Sequence, residues 1–208
     1  MTGLRARQKA DRNRRILHAA STLFYSEGYR SARIEDMAGM AEVSPGTVYN
    51  YYRTKGDLLI AIVAMEVEEV LAAGARIVAD PPRGVRRAIE TLIWTYYDHS
   101  LEYLSKEMWR TVMALSLEAP ETPNGALYLD LDRRLAAQVV ALVEQLKARG
   151  EARSELDAAA IGEVLFNTLN AMFMNFVRDE DMPMGALKAR VARQFGLLAR
   201  LIATGEDR

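Results

Sequence analysis

Apolar positions along the chain recur three and four residues apart, and no long alternating β-branched run appears, so the pattern predicts helices rather than strands. A first helix is expected from about Asp11 to Glu27, with Ile16, Ala19, Ala20, Leu23 and Phe24 on one face. Gly28 follows where a left-handed cap favours glycine. Ile34 to Met40 reads as a short helix, and Ala41-Glu42-Val43 as a turn. Ser44 suits an N-cap and Pro45 the first helical position, where no amide donor is needed. The short helix from Pro45 to Tyr51 has Val48 as its buried anchor, against Met37, Ala38 and Val43. Two short helices joined by a tight turn, the second with a small N-terminus and a polar aromatic surface, describe a helix-turn-helix.

Beyond it, a helix from Thr54 to Ala79 ends at Asp80-Pro81-Pro82, with Thr54 and Asp57 matching a capping box. Further helical stretches run from Gly84 to about Leu104 and from Lys106 to Ala119. A long one carries Leu127, Leu131, Leu135, Val139, Leu142 and Leu146 and stops near Gly150. From Asp157 to Arg178 apolar residues go most of the way round, and from Met184 to Ile202 they make one stripe. The expected fold is all-α: an N-terminal three-helix helix-turn-helix domain (residues 1–53, with a basic arm) and a C-terminal helical bundle (54–208) for ligand binding and dimerisation.

Composition narrows the function. The chain has 208 residues, half of them hydrophobic and 26% charged, enough for a substantial core. It contains no cysteine, which excludes disulfides and thiolate metal sites. No signal peptide or membrane span is visible, so a cytoplasmic protein is expected. The net charge of −1 hides an asymmetry: up to Ile60 ten basic residues face six acidic ones, leaving the remainder at −5. A basic end on an acidic body suits a phosphate-bearing partner at that end, although a solvated tail has the same composition. Arg12, Arg14 and Arg15 lie in the first turns of the expected first helix, against its dipole, as if wanted for another purpose.

The stretch from Ile34 to Leu59, IEDMAGMAEVSPGTVYNYYRTKGDLL, together with AASTLFYSEGY in the first helix, resembles the tetracycline-repressor (TetR) family. The resemblance covers roughly the first quarter of the chain. It implies a DNA-binding transcriptional regulator, a homodimer on a palindromic operator, most often a repressor released by a small molecule. Ser44, Pro45, Gly46 and Thr47 would then start the recognition helix, near bases and backbone. Tyr49 and Tyr51 would contact phosphates, Asn50 a base edge or a phosphate, and Lys55 a phosphate. Tyr52 stands where the family has a buried phenylalanine. Two departures are visible: Glu42 replaces a turn glycine, and Ala32-Arg33 replaces a threonine before the second helix. Arg33 offers a charged phosphate contact in exchange. Left-handed backbone at Glu42 would cost about 1 kcal/mol.

The resemblance also implies that the last two helices meet a two-fold mate. Leu165, Leu169, Met172, Phe173 and Phe176, with Leu187, Val191, Phe195, Leu198 and Ile202, are the expected interface; a deep core within one chain would show the same pattern. Trp94, Tyr97, His99, Tyr103, Trp109 and Met113 are candidates to line an effector pocket, as aromatics and methionines suit an apolar ligand, and Asn167 and Asn170 could serve the pocket or the dimer register. Plain core is the competing reading for each. The effector would be hydrophobic or aromatic, or a cation drawn by Asp98, Glu102 or Glu118. No cofactor, metal or catalytic set is expected: there is no glycine-rich phosphate loop, no HExxH, only His18 and His99, and Asp130 and Asp132 do not face each other on a helix. The rival to a regulator is a small-molecule carrier or sensor whose N-terminal helices are only structural.

Overall fold

The computed structural model describes residues 2–205. Among them are nine helices and no strand: α1 (Thr2–Glu27), α2 (Ile34–Met40), α3 (Pro45–Tyr51), α4 (Lys55–Ala79), α5 (Val85–His99), α6 (Lys106–Glu118), α7 (Pro123–Ala148), α8 (Ala158–Arg178) and α9 (Met184–Ile202). The all-α expectation holds. Three boundaries differ from those expected. The first helix begins at Thr2 rather than near Asp11, so the basic residues before Asp11 are helical. α5 ends at His99, five residues short of Leu104, and α7 begins already at Pro123.

The helices form two compact units, one running up to Glu66 and including Leu101–Leu129, the other comprising Val67–Ser100 and Asp130 onward. In the first unit, Ile16, Ala20 and Phe24 of α1 are buried with Met37 and Ala38 of α2, Val48 of α3 and Leu58, Leu59 and Ile62 of α4. The single apolar face of α1 thus shares one core with two short helices and the first turns of α4. Gly28 ends α1 with φ +82°, the left-handed cap that its position suggested. α6 is capped by Ser105, which accepts from the Met108 amide at 3.3 Å. Within the same unit, Ser21 donates to the Tyr103 carbonyl at 2.6 Å.

In the second unit α5 packs on α9, and α9 on α8. Tyr97 is buried; its hydroxyl donates to the Leu169 carbonyl on α8 at 2.7 Å and its ring stacks on Phe173 at 5.8 Å. Burial of that phenol pushes its pKa up. α8 crosses α7 at Gly162, where an added Cβ would stand 2.7 Å from the Val140 Cα. Tyr96 donates to Gln138 at 2.8 Å, and Gln138 donates to the Leu71 carbonyl at 2.9 Å, joining α5, α7 and α4. Beyond the end of α7, Gly150 is left-handed (φ +73°), and the Glu151 amide donates back to the Leu146 carbonyl at 3.0 Å. No described helix is long and apolar enough to cross a membrane.

Candidate nucleic-acid interface

The recognition element is built from local rules. Ser44 is extended (φ −75°, ψ 152°), and its Oγ accepts from the Thr47 amide at 3.2 Å while lying 2.9 Å from the Thr47 hydroxyl. Pro45 follows at the first turn, and Val48 is fully buried. One anchored face leaves the opposite one open: Pro45, Gly46, Tyr49 and Asn50 are exposed, and Thr47 and Tyr51 partly so. The open face has small residues at its N-terminal end and polar groups beyond, so backbone and side chains alike can approach a groove.

The turn before α3 is held from α1. Arg15 donates from Nη1 to the Ala41 carbonyl at 2.9 Å and lies 3.6 Å from the Glu42 carboxylate. Glu42 has φ +54°, so the turn takes left-handed backbone without a glycine, as the departure at this position foreshadowed. Because α1 begins at Thr2, Arg15 lies in its fourth turn, clear of the positive end of the dipole, and it braces the helix-turn-helix turn 26 residues away in sequence. Sequence spacing carries no trace of that pairing.

Lys55 is placed differently from what phosphate binding requires. Its Nζ donates to the carbonyls of Arg30 at 2.7 Å, Tyr29 at 2.9 Å and Ala32 at 3.3 Å, and stands 5.3 Å from the centre of the Tyr29 ring. An ammonium has three protons, and all three are used by the loop between α1 and α2. A phosphate would have to displace one of those carbonyls. Tyr51 directs its hydroxyl to the Lys9 carbonyl at 3.4 Å, a long contact. Tyr52, expected where the family has a buried phenylalanine, is only half-buried and donates to Asn13 at 2.7 Å. Its pKa is raised, chiefly by burial. Arg33 is exposed and lies 3.6 Å from Glu35. The capping box of α4 is present: the Asp57 amide donates to Thr54 Oγ1 and the Thr54 amide to Asp57 Oδ2, both at 3.0 Å. Asn124 adds a bond to the other Asp57 oxygen at 2.6 Å, a tie that sequence reasoning missed because it joins positions 67 apart.

The other sequence-derived candidates fall on both units. In the second, Trp94 is part-buried with an indole N–H that is buried and has no hydrogen-bond acceptor among the described residues, and Lys188 lies 5.9 Å from its ring centre. The Tyr97 hydroxyl is already committed to Leu169. His99 Nε2 is 3.3 Å from Glu69. Asn170 is part-buried, whereas Asn167 is exposed and lies on the open face of α8. In the first unit Trp109 is buried, and Tyr103 and Met113 are part-buried. The expected interface residues need correcting. Leu165, Leu169, Met172, Phe173, Phe176, Leu187, Val191, Phe195 and Ile202 are all buried within the single chain, and Leu198 alone is partly open. The α5, α8 and α9 packing consumes that face, and the large apolar residues left exposed on α8 and α9 are Val164 (49%), Leu197 (55%) and Leu201 (65%).

The profile of bacterial regulatory proteins, tetR family, matches residues 16–62, which run from the buried face of α1 through the recognition helix into α4. The match is confined to the helix-turn-helix end of the chain. It is 33% identical to the HTH-type transcriptional repressor NicS of Pseudomonas putida over 108 residues, 50% of this chain and 50% of that one. The chain thus aligns with about half the length of that curated relative. A TetR-family regulator structure from Mesorhizobium loti superposes with a TM-score of 0.72, covering 94% of this chain and 98% of its own at 20% identity. The transcriptional regulator FadR of Bacillus subtilis, solved in complex with stearoyl-CoA, gives a TM-score of 0.64 at 16% identity, covering 87% of this chain and 96% of its own. At these identities the structures speak for the fold alone.

Proposed function

We propose that this chain is a sequence-specific DNA-binding transcriptional regulator: a homodimeric repressor that leaves a palindromic operator when a small hydrophobic or aromatic effector binds. The observation that carries the reading is the α3 surface, capped by Ser44, anchored by Val48 and presenting Pro45, Gly46, Tyr49 and Asn50 to solvent. In this reading residues 1–53 bind DNA. Ser44, Pro45, Gly46 and Thr47 approach bases and backbone, Asn50 contacts a base edge, and Tyr49, Tyr51 and Arg33 contact phosphates. Lys55 serves by holding the α1–α2 loop to α4. Residues 54–208 sense the effector and pair the chains. Trp94, whose buried N–H lacks a protein acceptor, is the foremost effector contact, since buried donors are normally satisfied. A small-molecule effector is in keeping with the stearoyl-CoA complex of the Bacillus subtilis neighbour. The two-fold contact is assigned to the open side of α8 and α9, through Val164, Asn167, Leu197, Leu198 and Leu201.

A footprint on the DNA flanking the gene tests this. The expected result is a protected palindrome with half-sites about 34–36 Å apart, one helical turn. Absence of protection there, with no sequence enriched from a random duplex pool, would overturn the reading.

A further inference from the structure

Where the first turns of α5 meet the last turns of α9, the second unit has a cleft of about 360 Å³. Part of its lining is apolar: Val85 and Ala199 are buried. The rest is basic, with Arg86, Arg87 and Arg200. One acid stands among them, the buried Glu90, and it is already engaged: Arg86 Nε donates to Glu90 Oε1 at 2.7 Å. The same guanidinium lies against α9, where a Cβ on Gly196 would stand 3.5 Å from its Cζ. Glu90 therefore both orients Arg86 and offsets its charge. Arg87 and Arg200 are exposed, and their side chains have no hydrogen-bond or ion-pair partner among the described residues. Three guanidinium charges against one carboxylate leave the lining at +2. Beside the cleft, Glu151 accepts from the Gly84 amide at 2.7 Å and Arg153 donates to the Ala203 carbonyl at 3.1 Å, one charge of each sign. Like charges gathered in one cleft repel, and a bound anion reverses that cost.

We infer that this cleft binds a small organic phosphate monoester, its head held by Arg87 and Arg200 beside the fixed Arg86, and its apolar body on Val85 and Ala199. The charge of such a head at neutral pH, about −1.5 to −2, matches the uncompensated charge of the lining. Guanidinium forks suit the oxygens of one compact tetrahedral group, whereas a dicarboxylate spreads the same charge over two centres. The volume lies in the range of small-ligand sites, roughly 300–1,000 Å³. The inference does not rest on the DNA-binding reading. None of the residues assigned to DNA, to the effector or to the two-fold contact lines the cleft.

The test is calorimetric titration of the full chain, without DNA, with phenyl phosphate and with phenyl sulfate, which has the same shape and a single charge. Two variants are compared with wild type: Arg87→Ala/Arg200→Ala, and Arg133→Ala/Arg190→Ala, a pair of exposed arginines of the same unit that do not line the cleft. Alanine favours helix, and circular dichroism checks that helical content is retained. Phenyl phosphate should bind one site per chain, at least about fivefold more tightly than phenyl sulfate. The cleft variant should weaken it by about tenfold or more, the loss expected for one charge-assisted hydrogen bond. The control variant should stay within about twofold of wild type. Wild-type chain that takes up no phenyl phosphate at about 10 mM overturns the inference. So do equal losses in the two variants, which would mark diffuse attraction to surface charge, and equal affinity for phosphate and sulfate, which would remove the match of charge. Each of these results leaves DNA binding by α3 untouched.

Discussion

Lys55→Met separates two roles for one lysine. Methionine keeps the apolar stem and removes the ammonium. Three carbonyls of the α1–α2 loop, those of Tyr29, Arg30 and Ala32, then lose their donor. A hydrogen bond from a charged donor contributes about 1.5–3 kcal/mol where the acceptor would otherwise be unsatisfied. These carbonyls are only partly buried, and water can replace much of the lost bonding, so the sum must be discounted well below three times that value. The contact with the Tyr29 ring adds about 0.5–1 kcal/mol. The expected loss is about 2–3 kcal/mol of stability, read as a shift of the urea midpoint of the N-terminal transition by about 1 M. Operator affinity should fall with little change in salt slope, because no phosphate contact is removed. Unchanged stability to within about 0.5 kcal/mol, together with a slope smaller by about 0.9, would refute the reasoning and return Lys55 to the phosphate.

Gly162→Ala should destabilise the second unit by about 2–3 kcal/mol, since the new methyl would meet the Val140 backbone at 2.7 Å and α8 cannot retreat without opening its packing on α9; a thermal midpoint within 1 °C of wild type would contradict this. Asp132 is part-buried, and burial raises its pKa above the ordinary carboxylate range, to about 6. An acid whose folded pKa is raised binds a proton more tightly in the native state, so its burden is absent below about pH 4, grows as pH rises and is complete above about pH 6. Asp132→Asn should therefore stabilise by about 2 kcal/mol at pH 7.5 and hardly at all near pH 4, and a gain equal at both pH values in urea titrations would count against it.

The helix-turn-helix was legible because each of its decisions is local. Ser44, Pro45 and the Thr54–Asp57 pair act within one turn of a helix, Gly28 caps its own helix, and a single buried residue, Val48, defines which face of α3 stays open. Helical periodicity likewise settled the all-α class, because a 3.6-residue apolar repeat has one stable use. What a side chain reaches after the chain folds back is not a local property. Lys55 reads equally well as a phosphate ligand or as a clamp until the Tyr29–Ala32 loop is seen beneath its ammonium. Arg15 gains its purpose from Ala41 and Glu42, and Asp57 gains a second partner in Asn124. The apolar stripes of α8 and α9 fit a partner chain or the interior of their own unit, and only packing against α5 and against each other assigns Leu165, Phe176 and Phe195 to the core and leaves Leu197 and Leu201 outside. Short-range hydrogen bonds and periodicity are written in spacing; the choice among equally apolar or equally charged partners depends on which surfaces meet, and tertiary structure alone decides that.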